Sequence, residues 1–120
     1  MITSIAFTMY PVTDIVRARK FYEQDLGLTV SRVFQDAWIE YDLAGGTFAI
    51  TTLAEGVSPS ADVGGGIGFE VDSVDAMVTT LRAKGTTVKL EPFSTPVCRM
   101  AVILDPEGNA LTLHQATQNW

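Results

Sequence analysis

The sequence is short of cysteine, histidine, positive charge and long apolar runs. Cys98 is the single cysteine of the 120 residues. One cysteine excludes an intrachain disulfide and a cysteine-rich zinc site, and makes a reducing cytoplasm the expected setting. Cys98 itself reads as a small apolar strand residue. No stretch comes near the roughly 20 apolar residues that span a bilayer. The opening "MITSIAFTMY" has no basic n-region, continuous apolar core or cleavage site, so a secretory signal is not expected and the chain reads as soluble, cytoplasmic and without a membrane partner. Eight Lys and Arg against fourteen Asp and Glu leave a net charge of −6. The only basic cluster, "RARK", falls on an expected helix, which argues against nucleic acid as a partner.

The residues that remain repeat one order of elements. "SIAFTMY" alternates in polarity like a half-buried strand. Asp14 is placed to cap a helix along which Ile15, Ala18, Phe21, Tyr22 and Leu26 recur at helical spacing, and Gly27 stands where a left-handed residue ends it. Three strands follow, "LTVSRVF", "AWIEYDL" and "TFAITTL", with turns at Gln35-Asp36 and Gly45-Gly46. After the connector "AEGVSPSADVGGG" the order begins again with "GIGFEVD". Asp72 is the expected cap of the second helix, with Asp75 in a capping-box-like position and Val74, Met77, Val78 and Leu81 as its apolar stripe. Gly85 ends it. "TTVKLEP", "RMAVILD" and "ALTLHQ" are the closing strands, the last two joined by the turn "DPEG".

The two helical stretches, "DIVRARKFYEQDLGLTV" and "DSVDAMVTTLRAKGTTV", superpose without a gap at an offset of 58 residues. Two copies at that period do not make a solenoid. They make two supersecondary units of one domain. The expected fold is α+β: two βαβββ modules in a single domain 1–120, module one at 1–55, a connector at 56–65 and module two at 66–116.

"VTDIVRARKFYEQDLGLTV", "GFEVDSVDAMVTTLRAKG" and "ILDPEGNALTLHQ" together resemble the vicinal oxygen chelate superfamily, which includes glyoxalase I, extradiol dioxygenases, and the fosfomycin- and bleomycin-resistance proteins. The resemblance implies that the two modules form a cup-shaped mixed β-sheet, often doubled by a homodimer. In the superfamily's metalloenzymes four side chains on four strands hold a divalent cation, leaving a coordination position open for substrate. The four corresponding positions here are Phe7, Ala49, Gly66 and Thr112. None carries a carboxylate or an imidazole, so the resemblance implies neither a metal nor any other cofactor for this chain. Metal-dependent glyoxalase or dioxygenase chemistry is not expected.

Side chains alternate across a strand. Ile5, Phe7 and Met9 are therefore expected on one face of the first strand, Thr47, Ala49 and Thr51 on that of the fourth, Gly66, Gly68 and Glu70 on the fifth, and Ala110, Thr112 and His114 on the eighth. Phe48, Ile50, Ile67, Phe69, Val71, Leu111 and Leu113 take the opposite, helix-facing side. Such a cup suits a mostly apolar ligand held by few polar groups. Its candidate ligand-binding residues are Phe7, Met9, Trp38, Ala49, Thr51, Gly66, Glu70, Arg99, Thr112 and His114. The facing of Trp38 and Arg99 stays open at this point, because turns shift strand parity.

His114, the only histidine, and Glu70 are the candidate catalytic residues. Glu70 is a general base if the cup desolvates it and raises its pKa, or a rim carboxylate if a nearby base pairs with it. The leading function is a metal-free binding protein of the bleomycin-resistance type, taking an apolar or aromatic small molecule, with cations favoured by the acidic balance. The alternative is a lyase, isomerase or dioxygenase of the same superfamily in which either Glu70 and His114 act as an acid–base pair or side chains at other positions supply the metal ligands.

Overall fold

The computed structural model describes residues 1, 3, 5–54, 57–62 and 66–117. Ser4 of the expected first strand, and residues 56 and 63–65 of the expected connector, lie outside the described residues. The chain divides into two compact units, Met1–Pro59 and Ser60–Trp120. Each is a βαβββ module, and the fold class is α+β, as the sequence led us to expect.

In the first unit β1 (Thr8–Pro11) leads through Asp14 into α1 (Ile15–Arg19), which runs on into a π-helical segment, Lys20–Asp25. Asp14 keeps an extended backbone and its carboxylate accepts the Arg17 N–H at 3.0 Å, capping the helix as expected. The widened turn is closed by the Leu26 N–H on the Phe21 carbonyl, five residues back, at 2.9 Å. Gly27 then adopts φ 77° and releases the chain. β2 (Val30–Phe34), β3 (Trp38–Leu43) and β4 (Gly46–Thr51) complete a sheet of order β1-β4-β3-β2, in which β1 and β4 are parallel and the other pairs antiparallel. The β2–β3 turn places both Gln35 and Asp36 at positive φ, 53° and 51°, a conformation that suits the twist of a tight hairpin. β1 starts later than the alternation predicts. Ile5 and Phe7 precede it and are exposed.

The helix packs on one face of this sheet through a cluster of rings. Tyr22 lies 5.2 Å from Phe48 and 6.3 Å from Tyr41, centroid to centroid, and all three are buried. The Tyr41 hydroxyl donates to Glu23 Oε2 at 2.9 Å, and Arg19 Nε donates to the same oxygen at 2.7 Å. Burial, and after it the Glu23 carboxylate, push the Tyr41 phenol well above its usual pKa, so it stays a neutral donor.

The second unit contains β5 (Ile67–Glu70), α2 (Val74–Ala83), β6 (Val88–Ser94), β7 (Cys98–Leu104) and β8 (Ala110–Ala116), in the order β5-β8-β7-β6 with β5 parallel to β8. The cap of α2 is Ser73, one residue later than expected. Ser73 has the extended backbone, and its hydroxyl accepts the Ala76 N–H at 3.1 Å. Asp75 does not close a capping box either. It takes Arg99 of β7 in a two-point ion pair, at 2.6 and 2.8 Å. Val74, Val78 and Leu81 are buried, which is the apolar stripe read from the sequence. Cys98 is buried too, its sulfur 3.1 Å from Thr95 Oγ1.

Asp105 orders the turn before β8. Its Oδ1 accepts the backbone N–H groups of Glu107 and Asn109 at 2.8 and 2.9 Å, and its Oδ2 accepts Asn109 Nδ2 at 3.0 Å. Gly108, at φ 90°, returns its N–H to the Asp105 carbonyl. Among the described residues no helix is long and apolar enough to cross a membrane.

Candidate functional site

Each sheet carries a helix on one face, and the ladder registers decide which side chains point to the other. In the first unit Ile39 and Tyr41 pair with Ile50 and Phe48 on the helix side. Trp38 pairs with Thr51, Glu40 with Ala49, and Met9 with Ala49. These five therefore share the helix-free face, which settles the facing of Trp38. Phe7 joins them from outside β1, its ring meeting Trp38 edge-on at 5.0 Å and 85°. The sequence-predicted residues Phe7, Met9, Trp38, Ala49 and Thr51 are thus brought together.

They do not contribute equally. Ala49 and Thr51 are buried. The Thr51 hydroxyl donates to the Ala37 carbonyl at 2.8 Å and accepts the Leu53 N–H at 2.9 Å, so its polar capacity goes to the backbone. Phe7 is 44% exposed, and Phe34, paired with Trp38 from β2, is 54% exposed. The Trp38 indole N–H donates to Glu40 Oε2 at 2.8 Å. This fixes the ring plane, and it adds Glu40 to the candidate face, a residue our reading of the sequence missed.

In the second unit Glu70 pairs with His114, and Gly68 with Thr112, across the parallel β5–β8 ladder. His114 Nδ1 lies 2.6 Å from Glu70 Oε1, and Glu70 Oε2 accepts the Ala116 N–H at 2.7 Å. The Ala116 N–H first, and His114 after it, hold the Glu70 carboxyl below its ordinary pKa. Of the two readings of Glu70, the geometry matches the rim carboxylate paired with a nearby base: its side chain is 60% exposed, and hydrogen bonds outweigh the burial that would raise its pKa. An ionised carboxylate only accepts, so Nδ1 is the donating nitrogen of this pair. Met100 and Val102 of β7 stand beside His114 and Thr112, and Phe93 beside Met100. A Cβ added at Gly68 would meet nothing nearer than Thr112, at 4.0 Å, so this strip is open. Gly66, exposed, lies just before β5.

Arg99 belongs elsewhere. It pairs with Gln115, whose Oε1 accepts the Val74 N–H of α2 at 2.9 Å, so both lie on the helix side. There Asp75 and Ser94 hold the guanidinium, and the structure does not bring Arg99 to His114.

The depressed Glu70 pKa has a pH signature. A carboxylate whose folded pKa lies below its unfolded value stabilises the fold above the unfolded value, and that contribution disappears as pH falls through the folded one. The urea-unfolding midpoints of wild type and Glu70→Gln should therefore differ at pH 6 and converge below the ordinary value of 4.5. Midpoints that coincide at pH 6 would show that the Ala116 and His114 bonds add no net stability.

A family model of the Glyoxalase/Bleomycin resistance protein/Dioxygenase superfamily matches residues 4–113. The chain belongs to this superfamily. Comparison with curated proteins finds no match. Among solved structures, the antibiotic binding protein TnmS3 from Streptomyces sp. CB03234 is 24% identical with a TM-score of 0.77, covering 97% of this chain and 98% of its own. A glyoxalase/bleomycin resistance protein from the same Streptomyces is 26% identical at 0.75, covering 93% of this chain and 100% of its own. Lactoylglutathione lyase from Agrobacterium tumefaciens is 20% identical at 0.72, covering 94% and 93%.

The four positions that the resemblance suggests for metal ligands bring a phenyl ring at Phe7, a methyl at Ala49, no side chain at Gly66 and a lone hydroxyl at Thr112. Among the described residues no three His, Cys, Asp or Glu side chains are grouped so as to hold a metal ion. The donor set does not fit a divalent cation.

Proposed function

We propose that the protein is a metal-free, cytoplasmic small-molecule-binding protein, a homodimer that takes an apolar or aromatic ligand against the helix-free sheet faces. One observation carries the reading: Trp38, held in plane by Glu40 and buttressed edge-on by Phe7, offers a fixed aromatic surface between partly exposed rings. A rigid indole that needs no ordering on binding is a favourable stacking platform. An antibiotic binding protein of the same fold, TnmS3, supports the same reading.

Trp38→Ala should weaken binding of a planar aromatic probe such as quinoline by about 30-fold, from roughly 2 kcal/mol of lost ring contact. Calorimetric titration reads this directly, and an unchanged affinity removes the site from the face. Elemental analysis of protein purified without chelator should find no stoichiometric divalent metal. A bound equivalent would return a metalloenzyme to the front.

The Glu70–His114 pair favours a second reading, an enzyme of the lyase or isomerase kind. A carboxylate that fixes the imidazole tautomer and ring orientation is the arrangement general acid–base catalysis uses. If that reading holds, Glu70→Gln abolishes turnover of the ligand, whereas in a pure binding protein no turnover exists to lose.

A further inference from the structure

We propose that Glu40 makes the Trp38 face selective for planar aromatic cations. The inference rests on the aromatic-binding reading above and names the class of ligand that reading leaves open. Glu40 is half-buried on the helix-free face, between Arg32 and Ala49 in the ladder and two positions along β3 from Trp38. One of its oxygens is engaged by the indole N–H. Among the described residues no ion pair joins it to a cation, and Arg32, its cross-strand neighbour, is exposed and makes none with it. Asp75 and Glu70, by contrast, are engaged by Arg99 and His114.

Carboxylate and indole act on a cation in the same direction. The π-face of Trp38 attracts positive charge through its quadrupole, most strongly among the aromatic side chains. The Glu40 charge adds a Coulomb attraction at the ring's edge, and the hydrogen bond to Nε1–H draws electron density into the ring that the cation meets. A net charge of −6 raises the local concentration of cations around the whole chain, while Glu40 would locate the selectivity at this face. Arg32 opposes it, because a guanidinium directly across the ladder repels a bound cation and competes for the same carboxylate.

The test compares N-methylquinolinium with quinoline, two planar molecules of near-equal size of which only the first is charged at neutral pH. Affinity is measured by calorimetry, and location by the NMR shift of the Trp38 indole N–H, assigned with Trp120→Phe. Wild type should bind the cation about tenfold more tightly than the neutral ring. In Glu40→Gln that ratio should fall to within about twofold, because the amide oxygen still accepts the indole N–H but the charge is gone. In Arg32→Ala the ratio should rise by about threefold. Unchanged NOEs between the Trp38 and Phe7 rings in free Glu40→Gln show that the indole has not moved.

Equal affinities in wild type, with the indole resonance shifted by both probes, would overturn the charge selectivity and leave the aromatic site standing. A preference that survives Glu40→Gln unchanged overturns it as well and assigns the effect to the chain's overall charge. If neither probe moves the Trp38 resonance, the aromatic site falls, and the charge selectivity with it.

Discussion

Tyr22→Ala is expected to destabilise the protein by about 3–5 kcal/mol, the range for truncating a large aromatic in a packed core. Tyr22 is fully buried, and its ring meets Phe21 at 5.2 Å, Phe48 at 5.2 Å and Tyr41 at 6.3 Å. It fastens the π-helical segment to the helix-bearing face of the first sheet. Removing the ring loses its burial and leaves a void that these aromatic neighbours, two of them on strands of the sheet, fill only partly. Tyr22→Phe keeps the ring and should cost much less. Urea denaturation of the two variants separates the contributions of ring and hydroxyl. A loss under about 1 kcal/mol for Tyr22→Ala would show that the cluster repacks freely, against the usual stiffness of such cores.

Asp105→Ala carries the second large effect, about 2–4 kcal/mol. Three N–H groups converge on this buried carboxylate, two from the backbone and one from Asn109, whose own side-chain oxygen accepts the Ser60 N–H at 3.1 Å. Alanine leaves all three donors without their acceptor while the turn still demands its positive φ at Gly108. The same substitution should also raise amide exchange at Glu107 and Asn109, which hydrogen-exchange mass spectrometry detects. Unchanged exchange there would mean that the backbone holds the turn unaided.

The fold was legible because both of its periodicities are clean. Phe48 and Ile50, and Leu111 and Leu113, alternate toward the core as read, and Asp14, Gly27 and Gly85 mark helix ends as expected. The misreadings have local causes. Asp72 and Ser73 are both good cap residues, and sequence does not say which keeps the extended backbone. With Ser73 as the cap, the third helical position is Ala76, and Asp75 holds Arg99 instead. The first strand was drawn too long because alternation continues through Ile5 and Phe7, where no ladder partner pairs with them.

The facing of the candidate site residues was legible on strands whose pairing is regular and obscure where it is not. Trp38 follows a turn, and Arg99 stands on a strand whose pairing with β6 shifts register twice, so neither facing was readable in advance. Glu40 was within reach, since two residues along a strand from Trp38 is the same face. It was missed because a lone carboxylate carries no motif. The Glu70 shift required the Ala116 N–H, a contact 46 residues away in sequence.

The alternation along β3 and β4 also has a genetic consequence. Residues of the helix-packed face and of the helix-free face interleave there, Ile39 with Trp38, Tyr41 with Glu40, Phe48 with Ala49. Under the proposed function, selection for the helix-packed core and selection for a new ligand at the exposed positions of the helix-free face act on neighbouring but different codons. A library that randomises Trp38, Glu40 and the exposed Phe34 while holding the buried Ala49 and Thr51 constant should therefore recover new specificities without searching for a new fold.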